Sequence, residues 1–357
     1  MNHILLLTDG MPQGGAERQL VYLASGLKEG GNAVRLVTFY PVANFYEDDL
    51  INKGINIECY PKGRNGIKRA FIIRNLVKKW KPQMVISYKP GTCMAACLAR
   101  MITKFNLVVS ERNTTQKLSK KERIKFYLYQ FADHIVPNSF SQAKYIQANF
   151  PELYSKVTII TNMLDIDKFY KKENQKNTYL QILTVARISP QKNIINYLDA
   201  IKIIIDKGIR VHFNWYGRLD DNTGYWNKIE KKIEELNIAN YVTFHNPTND
   251  LLRVYNSHDI FLLPSQYEGF PNVLCEAMAC EMPCLASKVG DNPFILKDFE
   301  WLINPNDSEN IASTVIKMIN LTPSVRKEIG KKNRDHIWNQ CSEESFIKKY
   351  ISLINNQ

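Results

Sequence analysis

Short apolar runs alternate along the chain with stretches of helical periodicity, the pattern that doubly wound α/β domains produce. In the first half, runs at Ile4–Thr8, Ala33–Thr38, Ile55–Cys59, Met84–Ser87, Leu107–Ser110 and His134–Pro137 predict strands. Helical patterns such as Glu17–Lys28 and Ser141–Ala148 fall between them. The alternation restarts at Gln181–Ala186 and continues through Arg210–Trp215, Tyr241–His245, Ile260–Leu263 and Met282–Ala286. Between the two series lies the polar segment Lys171–Thr178, KKENQKNT, which reads as a linker. Two α/β domains are therefore expected, at 1–172 and 173–341, followed by a last helical pattern, Ser342–Asn355, in the tail 342–357. A length of 357 residues points the same way, since it exceeds what one core usually serves. No tandem repeat or low-complexity tract interrupts the pattern.

Charge divides the two halves. Residues 1–172 carry 26 Lys and Arg against 13 Asp and Glu, whereas residues 173–357 carry 21 against 22. The net +12 is thus a property of the N-terminal half, which favours an anionic partner, either nucleic acid or an acidic membrane face. Lys62–Lys81 has eight cations interleaved with Ile67, Phe71, Leu76 and Trp80, and Lys117–Phe131 repeats the theme. Basic amphipathic helices bind anionic lipid. The alternative is ordinary α/β helices with apolar stripes on the sheet and solvated cations. Clustering of the charge in one domain favours a membrane-facing acceptor domain, and no nucleic-acid recognition motif accompanies it. No apolar run reaches the roughly 18 residues of a spanning helix. The opening MNHILLLTDG is too short for a signal peptide, so a cytoplasmic chain is expected, peripheral at the inner membrane face. Seven cysteines match no zinc spacing and read as buried thiols in a reducing compartment.

The most informative chemistry lies in Phe261–Ser287, FLLPSQYEGFPNVLCEAMACEMPCLAS, which reads as strand, loop, helix, proline stop, strand. Glu268 sits in the loop and Glu276 inside the helix. Gly269 allows close backbone approach, and Pro271 suits a first helical turn. Amides at such a helix start attract phosphate, and the two carboxylates offer acceptors for sugar hydroxyls. One segment thus supplies what a nucleotide-sugar needs.

This segment resembles the signature of family 4 glycosyltransferases, retaining enzymes of the GT-B fold, in which two Rossmann-like domains face each other across a cleft. The resemblance implies that Glu268 contacts a donor-sugar hydroxyl and that Glu276 holds the ribose. Gly269, Phe270, Pro271, Asn272 and Val273 would then surround donor sugar and phosphate. Arg187 and Lys192, in LTVARISPQKNI, follow the first strand of the second domain and are similar to the family's phosphate-binding Arg and Lys. Cations there face the ligand crevice of an open sheet and would neutralise a diphosphate. Gly14 and Gly15 open a helix after the first strand and match the family's N-terminal glycine loop. A plain turn is the competing reading. Gly217 ends a strand as the family's strand–glycine turn does. His245 and Asn246 fall where the base is met, although His245 reads equally as a loop histidine. Glu111, in VSERN, stands where many members carry a His. It either orients the acceptor hydroxyl or forms a salt bridge with Arg112. Ser139 reads as a helix cap.

Two departures fall near the donor. The family has Gly ahead of the motif's proline where this chain has Glu281-Met282-Pro283, and the following loop is Val289-Gly290-Asp291-Asn292-Pro293-Phe294. There is no DxD motif at a strand end, so no metal and no cofactor are expected beyond the sugar nucleotide itself. The resemblance implies a transferase moving a hexose or N-acetylhexosamine from a UDP-sugar to a lipid-linked saccharide, in the assembly of bacterial surface polysaccharide such as lipopolysaccharide O-antigen. A soluble acceptor, a nucleotide-sugar epimerase and a non-catalytic sugar-nucleotide sensor are the alternatives.

Overall fold

A computed structural model describes residues 1–12, 14–40, 45–61, 65–112, 115, 118–165, 168–172, 178–219 and 224–355. Residues 62–64, 113, 117 and 173–177 of the segments singled out above lie outside them. The chain forms two units, Met1–Met163 with Glu343–Gln357, and Leu164–Ser342. The first unit contains β1 (His3–Thr8), α1 (Gly15–Glu29), β2 (Ala33–Thr38), α2 (Glu47–Ile51), β3 (Ile57–Cys59), α3 (Gly66–Trp80), β4 (Met84–Tyr88), α4 (Pro90–Ile102), β5 (Leu107–Glu111), α5 (Lys120–Tyr129), β6 (His134–Pro137) and α6 (Phe140–Asn149). The second contains β7 (Leu180–Val185), α7 (Ile194–Asp206), β8 (Val211–Tyr216), α8 (Tyr225–Leu236), β9 (Val242–His245), α9 (Leu251–Asn256), β10 (Ile260–Leu263), α10 (Asn272–Ala279), β11 (Cys284–Ser287), α11 (Asn292–Leu296), β12 (Leu302–Ile303), α12 (Ser308–Asn320) and α13 (Pro323–Gln340).

Among the described residues each unit has one six-stranded sheet, in the orders β3-β2-β1-β4-β5-β6 and β12-β11-β10-β7-β8-β9. Both are parallel, and both reverse direction at one point, between β1 and β4 and between β7 and β10. The strands carry near-continuous apolar runs because both faces are covered. In β1, Ile4 and Leu6 enter one core cluster while Leu5 and Leu7 enter another. Each such side chain contributes roughly 1.5–3 kcal/mol by burial.

The boundary between units falls at Met163–Leu164 and not at 172–173. Leu164 and Phe169 are buried in the second unit's core, and Lys172 donates its backbone N–H to Asn256 Oδ1 at 2.7 Å. Apolar anchors ahead of the polar segment decide the division. The terminal helix α14 (Glu343–Asn355) packs on the first unit, with Phe346, Ile347, Tyr350, Leu353 and Ile354 in its core. β12 has only two residues and no apolar run of its own, so its sequence carries no strand signal.

On α3, Ala70, Ile73, Leu76 and Val77 face the core, as an α/β helix requires. Ile67 and Phe71 do not, and are 65% and 51% exposed among cations. On α5, Ile124 and Tyr127 are exposed as well. The apolar stripes are therefore only partly accounted for by packing on the sheet. Among the described residues no helix is long and apolar enough to cross a membrane.

Candidate active site

In open α/β sheets, ligands bind beyond the carboxyl ends of the strands where the strand order reverses. In the second unit that point joins the loops after β7 and β10. Ser189 is extended, Pro190–Lys192 form one 3-10 turn, and Asn193 takes a left-handed conformation at φ 63°. Asn tolerates that region better than most residues. From there Asn193 Nδ2 donates to the carbonyls of Pro264 at 3.0 Å and Pro305 at 2.6 Å, while its Oδ1 accepts from Gln266 Nε2 at 2.7 Å. Gln191 adds two links, accepting from the Gln266 backbone N–H at 2.8 Å and donating Nε2 to the Tyr267 carbonyl at 3.0 Å.

These bonds clasp one loop to the other and set Lys192 Nζ 2.5 Å from Glu268 Oε1. Both side chains are largely buried, which strengthens their attraction. Arg187 is exposed just past the end of β7. Lys192 therefore has a carboxylate partner within the protein, in addition to the phosphate role expected of it.

Glu268 leads into α10. Pro271 is the N-cap residue and the helix begins at Asn272, one residue later than a first-turn proline implies. Pro271 makes no side-chain cap hydrogen bond, and acidic residues are absent from the first turn. Phe270 is buried, and Gly269, Asn272 and Val273 are half-buried. The loop is braced by the segment after β11. Asp291 N–H donates to the Gly269 carbonyl at 3.1 Å. Gly290 has φ 54°, and an added Cβ would overlap the Glu268 carbonyl. The unusual Val289–Phe294 loop thus packs directly on the backbone that carries Glu268. Glu276, one turn into α10, is fully buried and accepts a hydrogen bond from Tyr255 Oη at 2.8 Å.

Gly217 and His245 extend the same carboxyl edge through β8 and β9. A Cβ at Gly217 would overlap the Ala186 carbonyl, so glycine is needed for the chain to pass the end of β7. The Gly217 N–H donates to the His245 carbonyl at 3.2 Å. The His245 ring stacks on Tyr216 with centroids 4.2 Å apart, and Nε2 lies 2.9 Å from Asn214 Oδ1. Burial, and then the neighbouring His212, push its pKa below the ordinary histidine value. Asn246 is exposed beyond it. Among the described residues no group of three His, Cys, Asp or Glu is placed to hold a metal.

In the first unit, Gly14 is the extended N-cap of α1, which starts at Gly15. The Glu17 carboxylate occupies the space beside Gly14 and pairs with Lys89 Nζ at 2.6 Å. Glu111 has a different ion partner from the one its sequence neighbour suggests. It ends β5, its side chain has no exposed surface, and its partner is Lys125 Nζ at 2.9 Å, not Arg112. Tyr129 Oη donates to the same oxygen at 3.3 Å. Arg112 instead donates to Ser110 Oγ, Asn162 Oδ1 and the hydroxyls of Tyr88 and Tyr350. Adjacent strand residues face opposite ways, which separates Glu111 from Arg112. Ser139 caps α6 as expected, its Oγ accepting from Gln142 N–H at 3.1 Å. Gln191, Asn193, Gln266 and Tyr255 carried no recognised signal, because each acts on a residue remote in sequence or on backbone.

Two family models match consecutive parts of the chain, "Glycosyltransferase Family 4" over residues 13–168 and "Glycosyl transferases group 1" over residues 165–336. The chain is 24% identical over 346 residues to the GalNAc-alpha-(1->4)-GalNAc-alpha-(1->3)-diNAcBac-PP-undecaprenol alpha-1,4-N-acetyl-D-galactosaminyltransferase of Campylobacter jejuni, covering 92% of each. It is 22% identical to the amylovoran biosynthesis glycosyltransferase AmsD of Erwinia amylovora, covering 99% of this chain and all of that one. The crystal structure of Anabaena Alr3699/HepE in complex with UDP superposes with a TM-score of 0.85 at 18% identity, covering 99% of this chain and 100% of that one. That likeness shows the fold, GT-B, with its two Rossmann-like units.

Proposed function

Because the chain belongs to the family 4 glycosyltransferases, we propose that it moves a hexose or N-acetylhexosamine from a UDP-sugar to a saccharide carried on a lipid diphosphate, in bacterial surface-polysaccharide assembly. The observation that carries this reading is the Lys192–Glu268 pair at the reversal point of the second sheet, beside the start of α10. A cation, a carboxylate and a helix start within one crevice match a sugar diphosphate group by group. Glu268 accepts hydrogen bonds from the donor sugar. Lys192, Arg187 and the amides after Gly269 meet the diphosphate, and Glu276 meets the ribose. The relatives' names support the acceptor class: one acts on a PP-undecaprenol saccharide and one in amylovoran biosynthesis.

Transfer proceeds with retention and needs no enzyme nucleophile. The acceptor hydroxyl oxygen bonds to the anomeric carbon on the face from which the diphosphate leaves, and the departing phosphate oxygen takes the hydroxyl proton. Each well-placed donor on the developing phosphate charge is worth about 3 kcal/mol. With cations and amides in that role, no divalent metal is required. The exposed Ile67, Phe71, Ile124 and Tyr127, set among the cations of α3 and α5, support peripheral docking on anionic lipid at the cytoplasmic face.

The test is incubation with a panel of UDP-sugars and a polyprenyl-diphosphate saccharide, with product read by mass spectrometry and anomeric configuration by NMR. EDTA leaves the rate unchanged, and the protein floats with anionic liposomes. UDP release with no glycosylated product from any acceptor, or isomerised donor, would overturn the reading.

A further inference from the structure

The first unit has its own reversal point, between β1 and β4, and a second polar cluster stands at the carboxyl ends of those strands. Asp9 follows β1 directly. Its backbone carbonyl accepts from Phe39 N–H at 3.0 Å and Tyr40 N–H at 2.8 Å, which fixes its place on the sheet edge. Its Oδ1 accepts from Thr92 Oγ1 at 2.6 Å and is ion-paired with the Arg69 guanidinium. Arg69 reaches this point from α3, is only 2% exposed, and lies over the rings of Phe39 and Tyr40 at 4.7 and 5.3 Å. Its NH1 also donates to Thr92 Oγ1 at 2.8 Å. Beside it, Lys89 follows β4 as the N-cap of α4 with φ 70°, a backbone conformation that is strained for a lysine.

Asp9 itself is different from its supports. Its side chain is 30% exposed, and among the described residues Oδ2 accepts no hydrogen bond. One oxygen is thus locked by a buried arginine and a buried threonine, and the other is presented at the place where an open sheet binds ligands. Burying an arginine is costly and a purely structural contact is served as well by apolar residues, so the cluster suits a carboxylate that must be held still. An oriented carboxylate oxygen accepts from neutral hydroxyls and repels phosphate.

We propose that Asp9 binds the acceptor, its Oδ2 taking hydrogen bonds from the hydroxyls of the uncharged acceptor sugar. Arg69 and Thr92 are positioning residues that hold the carboxylate. The inference rests on the transferase reading above and assigns the saccharide end of the acceptor to the first unit.

The test compares Asp9→Asn and Thr92→Val with the wild-type chain in acceptor KM, kcat, UDP affinity by calorimetry and thermal melting. Asp9→Asn raises acceptor KM at least tenfold and leaves UDP affinity unchanged. Thr92→Val keeps Arg69 paired and shifts KM the same way by a smaller factor. Wild-type acceptor KM in both variants overturns the proposal. If Asp9→Asn fails to fold, Thr92→Val decides, and an unchanged KM there overturns it too. A wild-type chain that binds no sugar nucleotide overturns the transferase reading and this inference with it.

Discussion

Lys192 and Glu268, 76 positions apart in sequence, bring ammonium and carboxylate to within 2.5 Å at the ends of neighbouring strands. Removing either partner leaves the other charge largely buried and alone, which costs about 3 kcal/mol in comparable pairs. Lys192→Met and Glu268→Gln should each lower the melting temperature and reduce kcat/KM more than tenfold. The double variant should lose less than the sum, with a coupling of about 1–3 kcal/mol. Strictly additive losses would show that the two groups act separately.

Gly290 supports the same carboxylate from behind. Its φ of 54° and the absence of a side chain let the loop after β11 close on the Glu268 carbonyl. Gly290→Ala forces either that backbone or the Glu268 loop to move, and displacements of about 1 Å at a reacting centre cost up to a hundredfold. The expected result is a kcat/KM at least tenfold lower with UDP still bound. Unchanged turnover would show that the position of Glu268 does not depend on this contact.

Much of the second unit was legible in its residues. Its strands follow from apolar runs buried on both faces, and Glu268, Lys192, Arg187 and Gly217 all come to the carboxyl edge of one sheet. What the sequence could not convey was pairing. Lys192 and Arg187 look alike as cations after a strand, yet Lys192 is largely buried against Glu268 and Arg187 is exposed. Glu111 adjoins Arg112 in sequence, but the strand pleat turns it to Lys125, and only the fold discloses that. Asp9 has no neighbour in the chain to hint at Arg69, sixty residues on. The linker was misplaced for a related reason: composition reported polarity, while two apolar side chains, Leu164 and Phe169, decided which core the chain had joined.

Glu281 explains one departure from the family pattern. It occupies the left-handed region at φ 56°, between α10 and β11, where a Cβ costs roughly 1–2 kcal/mol. Glycine there relieves that strain and gives back part in unfolded-chain entropy. Glu281→Gly should stabilise the protein by about 1 kcal/mol in denaturant melts, without changing kcat. A destabilised variant would mean that the Glu281 side chain makes a contact worth more than the strain.

The cysteines sort by access. Cys59 is exposed, whereas Cys93, Cys97, Cys275, Cys280, Cys284 and Cys341 are buried. Burial pushes the Cys93 and Cys280 thiols up to about 12, which leaves almost no thiolate at neutral pH. A disulfide reagent should therefore titrate one thiol rapidly in the native chain, and none in Cys59→Ser. Fast reaction of a second thiol would reveal opening of a core.

The histidines make stability fall in weak acid. Burial is the first cause of a lowered pKa at His134, His212, His245, His258 and His336. In His258 it outweighs the Nδ1–H bond to the Val254 carbonyl at 2.7 Å. Unfolded histidine titrates near 6.5, at roughly that value in any unstructured chain. Above it both states are unprotonated and these residues add no slope. As pH falls through about 6.5 the unfolded chain takes up protons first, so unfolding gains ground until pH passes the lower folded values. The Arg35–Glu58 pair works at lower pH, because Glu58 has its pKa lowered from an already acidic carboxylate value. The melting temperature should thus decline between about pH 6.5 and 5, and His258→Gln should flatten part of that decline whatever its effect on stability at pH 8. A variant whose slope matches the wild type would assign the acid sensitivity to the other four histidines.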